Sequence, residues 1–127
     1  MIYILDNIAA ILAATLTGLA VGAVAWRLAR RGPVTAAMIL VAALAEFWMG
    51  CILAGALILA PPEAPVWVMA LGTPFIIWIG FVVPVIAVWA AAGPGPMRAG
   101  LGWAAHWLIA MMAMAAMLQA IGLTAPN

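Results

Sequence analysis

The chain has 127 residues, of which 71% are apolar and 6% charged, with a formal net charge of +1. Soluble domains carry charge on roughly a quarter of their residues, so this balance, with a mean hydropathy of +1.33, excludes a water-solvated fold and a nucleic-acid surface and points to lipid as the solvent. A single cysteine, Cys51, excludes an intrachain disulfide and a cysteine metal cluster.

The opening MIYILDN carries Asp6 and no basic residue, unlike a signal peptide. The first apolar run is therefore expected to persist as a helix over about residues 5–26. Ala10, Ala14, Gly18 and Gly22 recur at four-residue steps and share one face of it, including a literal GLAVG. Small residues let helices approach closely in lipid, within the chain or across a homodimer seam. RLARRGP closes this run, and a second helix is expected over about residues 35–59, closed by APPEAP.

Near the middle of the second run, LAEFWMGC sets Glu46 among apolar residues. A charged side chain in hydrocarbon costs about 2.5–3.5 kcal/mol or more, so the acid is expected to face protein. Ala42, Ala43, Gly50 and Ala54 share its face, whereas Leu40, Leu44, Phe47 and Cys51 define the surface expected toward lipid. At about 1.5 Å of rise per residue, Glu46 lies level with Thr17, Trp78 and the stretch 111–114. Thr17 and Trp78 are the expected donors to its carboxyl, since an indole N–H at that depth needs an acceptor.

The third helix is expected over about residues 66–90. Thr73, Gly80 and Pro84 form its small face, and Pro74 and Pro84 free the carbonyls of Ala70 and Gly80. Such carbonyls need a donor or mark a kink beside a cavity. After AAAGPGPMR the fourth helix is expected over about residues 101–121, with Gly102, Ala110 and Ala113 on the face of His106 and the run MMAMAAM as adaptable filler. Gln119 reads as a neutral donor between helices. His106 is placed about 8 Å from the basic end of its helix, leaving roughly 9 Å of depth to Glu46, a gap that a water-linked proton relay would bridge.

Arg27, Arg30, Arg31 and Arg98 lie in the first and third connections, and Asp6 and Glu63 lie at the opposite ends of the spans. The positive-inside rule then sets loops 27–34 and 91–100 in the cytoplasm and both termini on the extracytoplasmic side. Trp26 and Trp89 fall at the inner interface, Trp67 and Tyr3 at the outer one. The expected fold is all-α, a single transmembrane domain forming an up-down four-helix bundle in the cell (inner) membrane. Its packing positions are Gly18, Gly22, Gly50, Gly80, Pro84 and Gly102.

The run WIGFVVPVIAVWAAAGPGPMRAGLGWAAHWLIAMMAMAAMLQAIG, residues 78–122, resembles the C-terminal half of a bacterial four-helix membrane family, domain of unknown function 1761. Trp78, Gly80, Phe81, Val82, Pro84, His106 and Trp107 carry the resemblance, and GLAVGAVAW resembles that family's glycine-rich first helix. RLARRG departs from its usual continuation, and the second span shares no motif with it. The resemblance implies a four-helix integral membrane fold and supplies no activity or catalytic residue.

No lysine or serine is present, and no catalytic triad, phosphate loop or metal-ligand cluster can be assembled. Three functions fit. The first is a non-enzymatic structural or accessory protein packing against itself, as a homo-oligomer, or against a larger membrane complex. The second is a small proton-coupled transporter with Glu46 as the titrating acid. The third is a haem- or chlorophyll-type pigment carrier, because Gly102, four residues before His106, leaves room for a flat tetrapyrrole on an axial histidine. No cofactor is expected under the first two.

Overall fold

All regular structure is helical in the computed structural model, which describes residues 2–61, 63–93 and 97–125. Helix α1 (Ile2–Asp6) passes through Asn7 into α2 (Ile8–Leu28), because the Asn7 N–H bonds to Tyr3 O and the Ile11 N–H to Asn7 O. The first span thus starts earlier than its apolar run suggests. Helix α3 (Ala36–Ile58) opens under Thr35, whose hydroxyl accepts from the Met38 N–H at 3.2 Å.

Helix α4 (Val66–Ile77), a π-helical segment (Trp78–Val82) and α5 (Val83–Ala92) join into one span, Val66–Ala92. Helix α6 (Met97–Ile121) begins about one turn before the expected start, since MRAG holds no further proline. Gly122, at φ 89°, ends it with its N–H on Leu118 O, a backbone conformation that favours glycine. Among the described residues, four helical runs are long and apolar enough to cross a membrane. Pro62 and residues 94–96, expected in the second and third turns, lie outside the described residues.

The two prolines of the third span act differently. The α-helix continues past buried Pro74. Ahead of Pro84 the helix widens, and the Val83 N–H bonds to the Trp78 carbonyl five residues back. A proline ring donates no hydrogen bond and crowds the carbonyl four residues earlier, here Gly80, so one extra residue in the turn relieves that crowding.

Helix α6 packs along α2 and along the α4–α5 span, and α2 also packs along α3. Side-chain bonds fix the register. Asn7 Nδ2 donates to Thr124 O at 2.8 Å while its Oδ1 accepts from the Thr124 N–H at 2.7 Å, so the start of α2 lies beside the end of α6. The core fills the space between α2, α3 and α6, with Ile11, Leu53, Met111, Met114 and Leu118 fully buried beside Ala10, Ala14 and Ala54. Small residues bring the three backbones together, and the thioethers fill what remains.

Several expected faces are corrected. Leu40 and Leu44 are exposed, but Phe47 is half-buried and Cys51 is 3% exposed. Tyr3 covers that side of α3, its hydroxyl donating to Cys51 O at 3.1 Å and its ring lying against Gly55. Tyr3 is thereby a packing residue as well as an end marker. Ala42 is exposed and Ala43 half-buried, so the small face of α3 turns inward only from Glu46 onward. Gly18 and Gly50 pack inside the bundle and Gly22 is half-buried, whereas Gly80, Pro84 and Gly102 are exposed.

Candidate functional site

Glu46 lies on the inward face of α3 and is 5% exposed. Its carboxyl rests on Gly18 of α2, where a Cβ would overlap Oε2, stand 2.7 Å from Cδ and meet Met114 Sδ at 2.9 Å. Only glycine leaves room there. The depth expected from helical rise agrees, since Gly18 adjoins Thr17 and Met114 belongs to the stretch 111–114.

The two expected donors are engaged elsewhere. Thr17 Oγ1 donates to Ala13 O at 2.9 Å, the preceding turn of its own helix, as Thr15 Oγ1 does to Ile11 O at 2.8 Å. Trp78 Nε1 reaches across to Ala104 O on α6 at 2.7 Å, tying the π-helical segment to that helix. Local geometry, which helical depth does not reveal, decides what these groups bond. A threonine within a helix satisfies its hydroxyl one turn back, and an indole on the third span meets α6 before it meets α3. Glu46 Oε2 is left without a hydrogen-bond partner.

His106 is half-buried on α6, between Trp103 and Trp107, with ring centroids 6.0 and 5.8 Å from theirs. Its Cε1 would stand 3.9 Å from a Cβ on Gly22, an ordinary contact distance. Nδ1, like Glu46 Oε2, has no partner, and these two are the unpaired buried side-chain polar atoms among the described residues. Because α6 starts at Met97, nine residues before His106, the histidine lies about 14 Å along its helix instead of 8 Å. Gly18 and Gly22, one turn apart on α2, carry the two groups on neighbouring steps of a single face.

Beyond His106 the arginine-bearing end is built from stacked rings. The Arg31 guanidinium lies 5.3 Å from the Trp26 ring centroid and 4.7 Å from that of Trp103. Arg30, at φ 49°, turns the chain back for this stack, and Trp26 Nε1 donates to Gly32 O at 2.8 Å. An adjoining cavity of about 300 Å³ is lined by Ile86, Trp89, Trp103 and Trp107. At the other end, Gln119 lines a cavity of about 280 Å³ with Leu57, Met69 and Leu123.

Sequence reading singles out Glu46 and His106 but misses the glycine step that joins them. Its signal is present in GLAVG, which read only as packing. It also misses the Asn7–Thr124 clasp, although an asparagine beside the apolar run IAAIL is itself a sign of a specific partner. Among the described residues no three of His, Cys, Asp and Glu gather as metal ligands. Comparison of the chain with protein-family models, curated proteins and solved structures gave no match.

Proposed function

We propose that the chain is a small multi-pass protein of a bacterial inner membrane, an up-down bundle with both termini outside. It acts without catalysis by packing against another membrane helix, in a second copy or in a larger complex. The observation that carries this reading is the outward side of the Val66–Ala92 span. A Cβ on Gly72 or Gly80 would meet nothing within 4 Å, Gly80 and Pro84 are exposed, and Trp78–Val82 is π-helical. In lipid an exposed glycine gains nothing from burial of oil, and its use is close helix approach. π-helical turns are frequent at functional sites. Kinship with the four-helix family belongs to the same proposal, because Trp78, Gly80, Phe81 and Val82 make up four of the five residues of the π-helical segment.

Gly80→Leu tests it. Wild-type protein cross-linked in its membrane is expected to run as a homo-oligomer or with a companion subunit, and Gly80→Leu as a monomer of unchanged helix content. A wild-type monomer that captures no companion would sink the reading.

A second reading is favoured by Glu46. A buried acid with an unpaired oxygen destabilises a protein whose role is packing alone, by about 1–3 kcal/mol for the unmet bond, and an ionisable residue within an apolar span points by default to function. We propose under this reading that Glu46 exchanges a proton for a cationic or hydrophobic solute. In proteoliposomes with an imposed pH gradient and ethidium as the probe cation, Glu46→Gln is expected to abolish gradient-driven uptake while preserving the fold. Equal uptake by wild type, Glu46→Gln and empty vesicles would leave the packing role.

A further inference from the structure

We propose that Glu46 and His106 form one proton-exchanging pair, with the bare backbone of Gly18 and Gly22 as the floor between them. The inference goes beyond the assembly role and uses none of its surface. It rests on two independent observations that converge. The first is chemical: Glu46 Oε2 and His106 Nδ1 are the buried side-chain polar atoms left without partners among the described residues. The second is positional: the acid presses on Gly18, and the imidazole Cε1 lies 3.9 Å from where a Cβ on Gly22 would stand. Four residues of α-helix separate those glycines, a rise of about 6 Å, so the two groups stand about one turn apart. That is too long for a direct bond and short enough for one bridging water or a swing of the glutamate side chain.

Thr15 and Thr17 are bonded to carbonyls of α2, and Trp78 to Ala104 O. The titratable and charged groups of the surrounding elements are few. Within the spans, α2 contributes only Arg27 at its last turn, and α3 contributes Glu46 and, nearer the Tyr3 end, Cys51. The α4–α5 span contributes none, and α6 contributes Arg98 in its first turn and His106. The loop after α2 adds Arg30 and Arg31, the latter stacked on Trp103, whose ring lies edge-on to His106.

The step balances without an oxidant or a metal. With the imidazole proton on Nε2, the Glu46 O–H bond breaks and an N–H bond forms at His106 Nδ1, giving a carboxylate and an imidazolium. The imidazolium then releases its Nε2 proton to water at the arginine-bearing end. Glu46 takes a proton from water on reset, and His106 returns its Nδ1 proton to Nε2 by ring flip or exchange. One proton moves in each cycle.

His106 is the only histidine in the chain, so its 15N imidazole signal is unambiguous. Glu46 is equally assignable, as the carboxylic acid infrared band lost in Glu46→Gln. In lipid-reconstituted protein, His106→Gln is expected to move the midpoint of the Glu46 band by about one pH unit, tenfold in proton concentration, and Glu46→Gln to move the histidine titration by the same amount, because coupling is reciprocal. Trp103→Phe, which keeps both ionisable groups, is expected to move neither by that amount. If His106→Gln fails to fold, the histidine signal in Glu46→Gln decides alone. Midpoints unchanged in both variants would overturn the pair, and this outcome is distinguishable from failure of the assembly role, which Gly80→Leu reads separately.

Discussion

At Gly18 a single hydrogen in place of a methyl group decides whether three helices can meet around an acid. A Cβ at this position falls 2.7 Å from Glu46 Cδ and 2.9 Å from Met114 Sδ, whereas one at Gly22 meets His106 Cε1 at 3.9 Å. The contrast gives a paired prediction. Gly18→Ala overpacks a site with no slack and is expected to lower stability by about 1–3 kcal/mol. Gly22→Ala enters ordinary contact and is expected to fall within about 0.5 kcal/mol of wild type. Denaturant titration in mixed micelles, followed by circular dichroism, measures both, and equal losses would show that the Glu46 carboxyl does not occupy the Gly18 site. The acid itself was legible in LAEFWMGC, as was its need to face protein. Its bonding was not, because Thr17 and Trp78 each have a nearer acceptor that helical depth does not reveal.

Elements carry a second kind of information. The long apolar runs predict helices, and their ends follow glycine, proline and charge to within a turn. The π-helical segment is different. Its cause, Pro84, stands in the sequence, but a proline in a helix is met by a kink, a break or an inserted residue, and neighbouring packing selects among these. Here the indole of Trp78 is bonded to Ala104 O, which fixes the segment to α6 at its first residue. Trp78→Phe keeps the ring and removes the donor. It is expected to cost about 0.5–1.5 kcal/mol, read as a lower thermal midpoint, with the larger part of the loss in protection of the 78–82 amides by hydrogen exchange. Unaltered exchange there would mean that the segment is held by Pro84 alone.

For the whole molecule, charge and apolar length set the frame. Arg27 in the last turn of α2, Arg30 and Arg31 after it and Arg98 at the start of α6 lie toward one end, where Arg31 stacks on Trp103, and Asn7 meets Thr124 at the other. Insertion with the arginines inside follows from the positive-inside rule and is testable. In a Cys51→Ser background, Ala64→Cys is expected to react with a membrane-impermeant maleimide in intact cells and Ala29→Cys only after lysis. The reverse pattern would invert the topology.

Composition alone determined that the chain is built of helices long and apolar enough to cross a membrane, because hydrocarbon offers no partner for a backbone group outside a helix or a closed barrel. Tertiary structure alone decided which small residues face inward, since Gly18 and Gly80 carry the same local signal and differ only in what stands opposite. It also decided that Glu46 of α3 and His106 of α6 lie against glycines of one face of α2, with Oε2 and Nδ1 left without partners. Periodicity fixes which residues of one helix lie together, but the rotation and offset of its neighbour come from packing among all four.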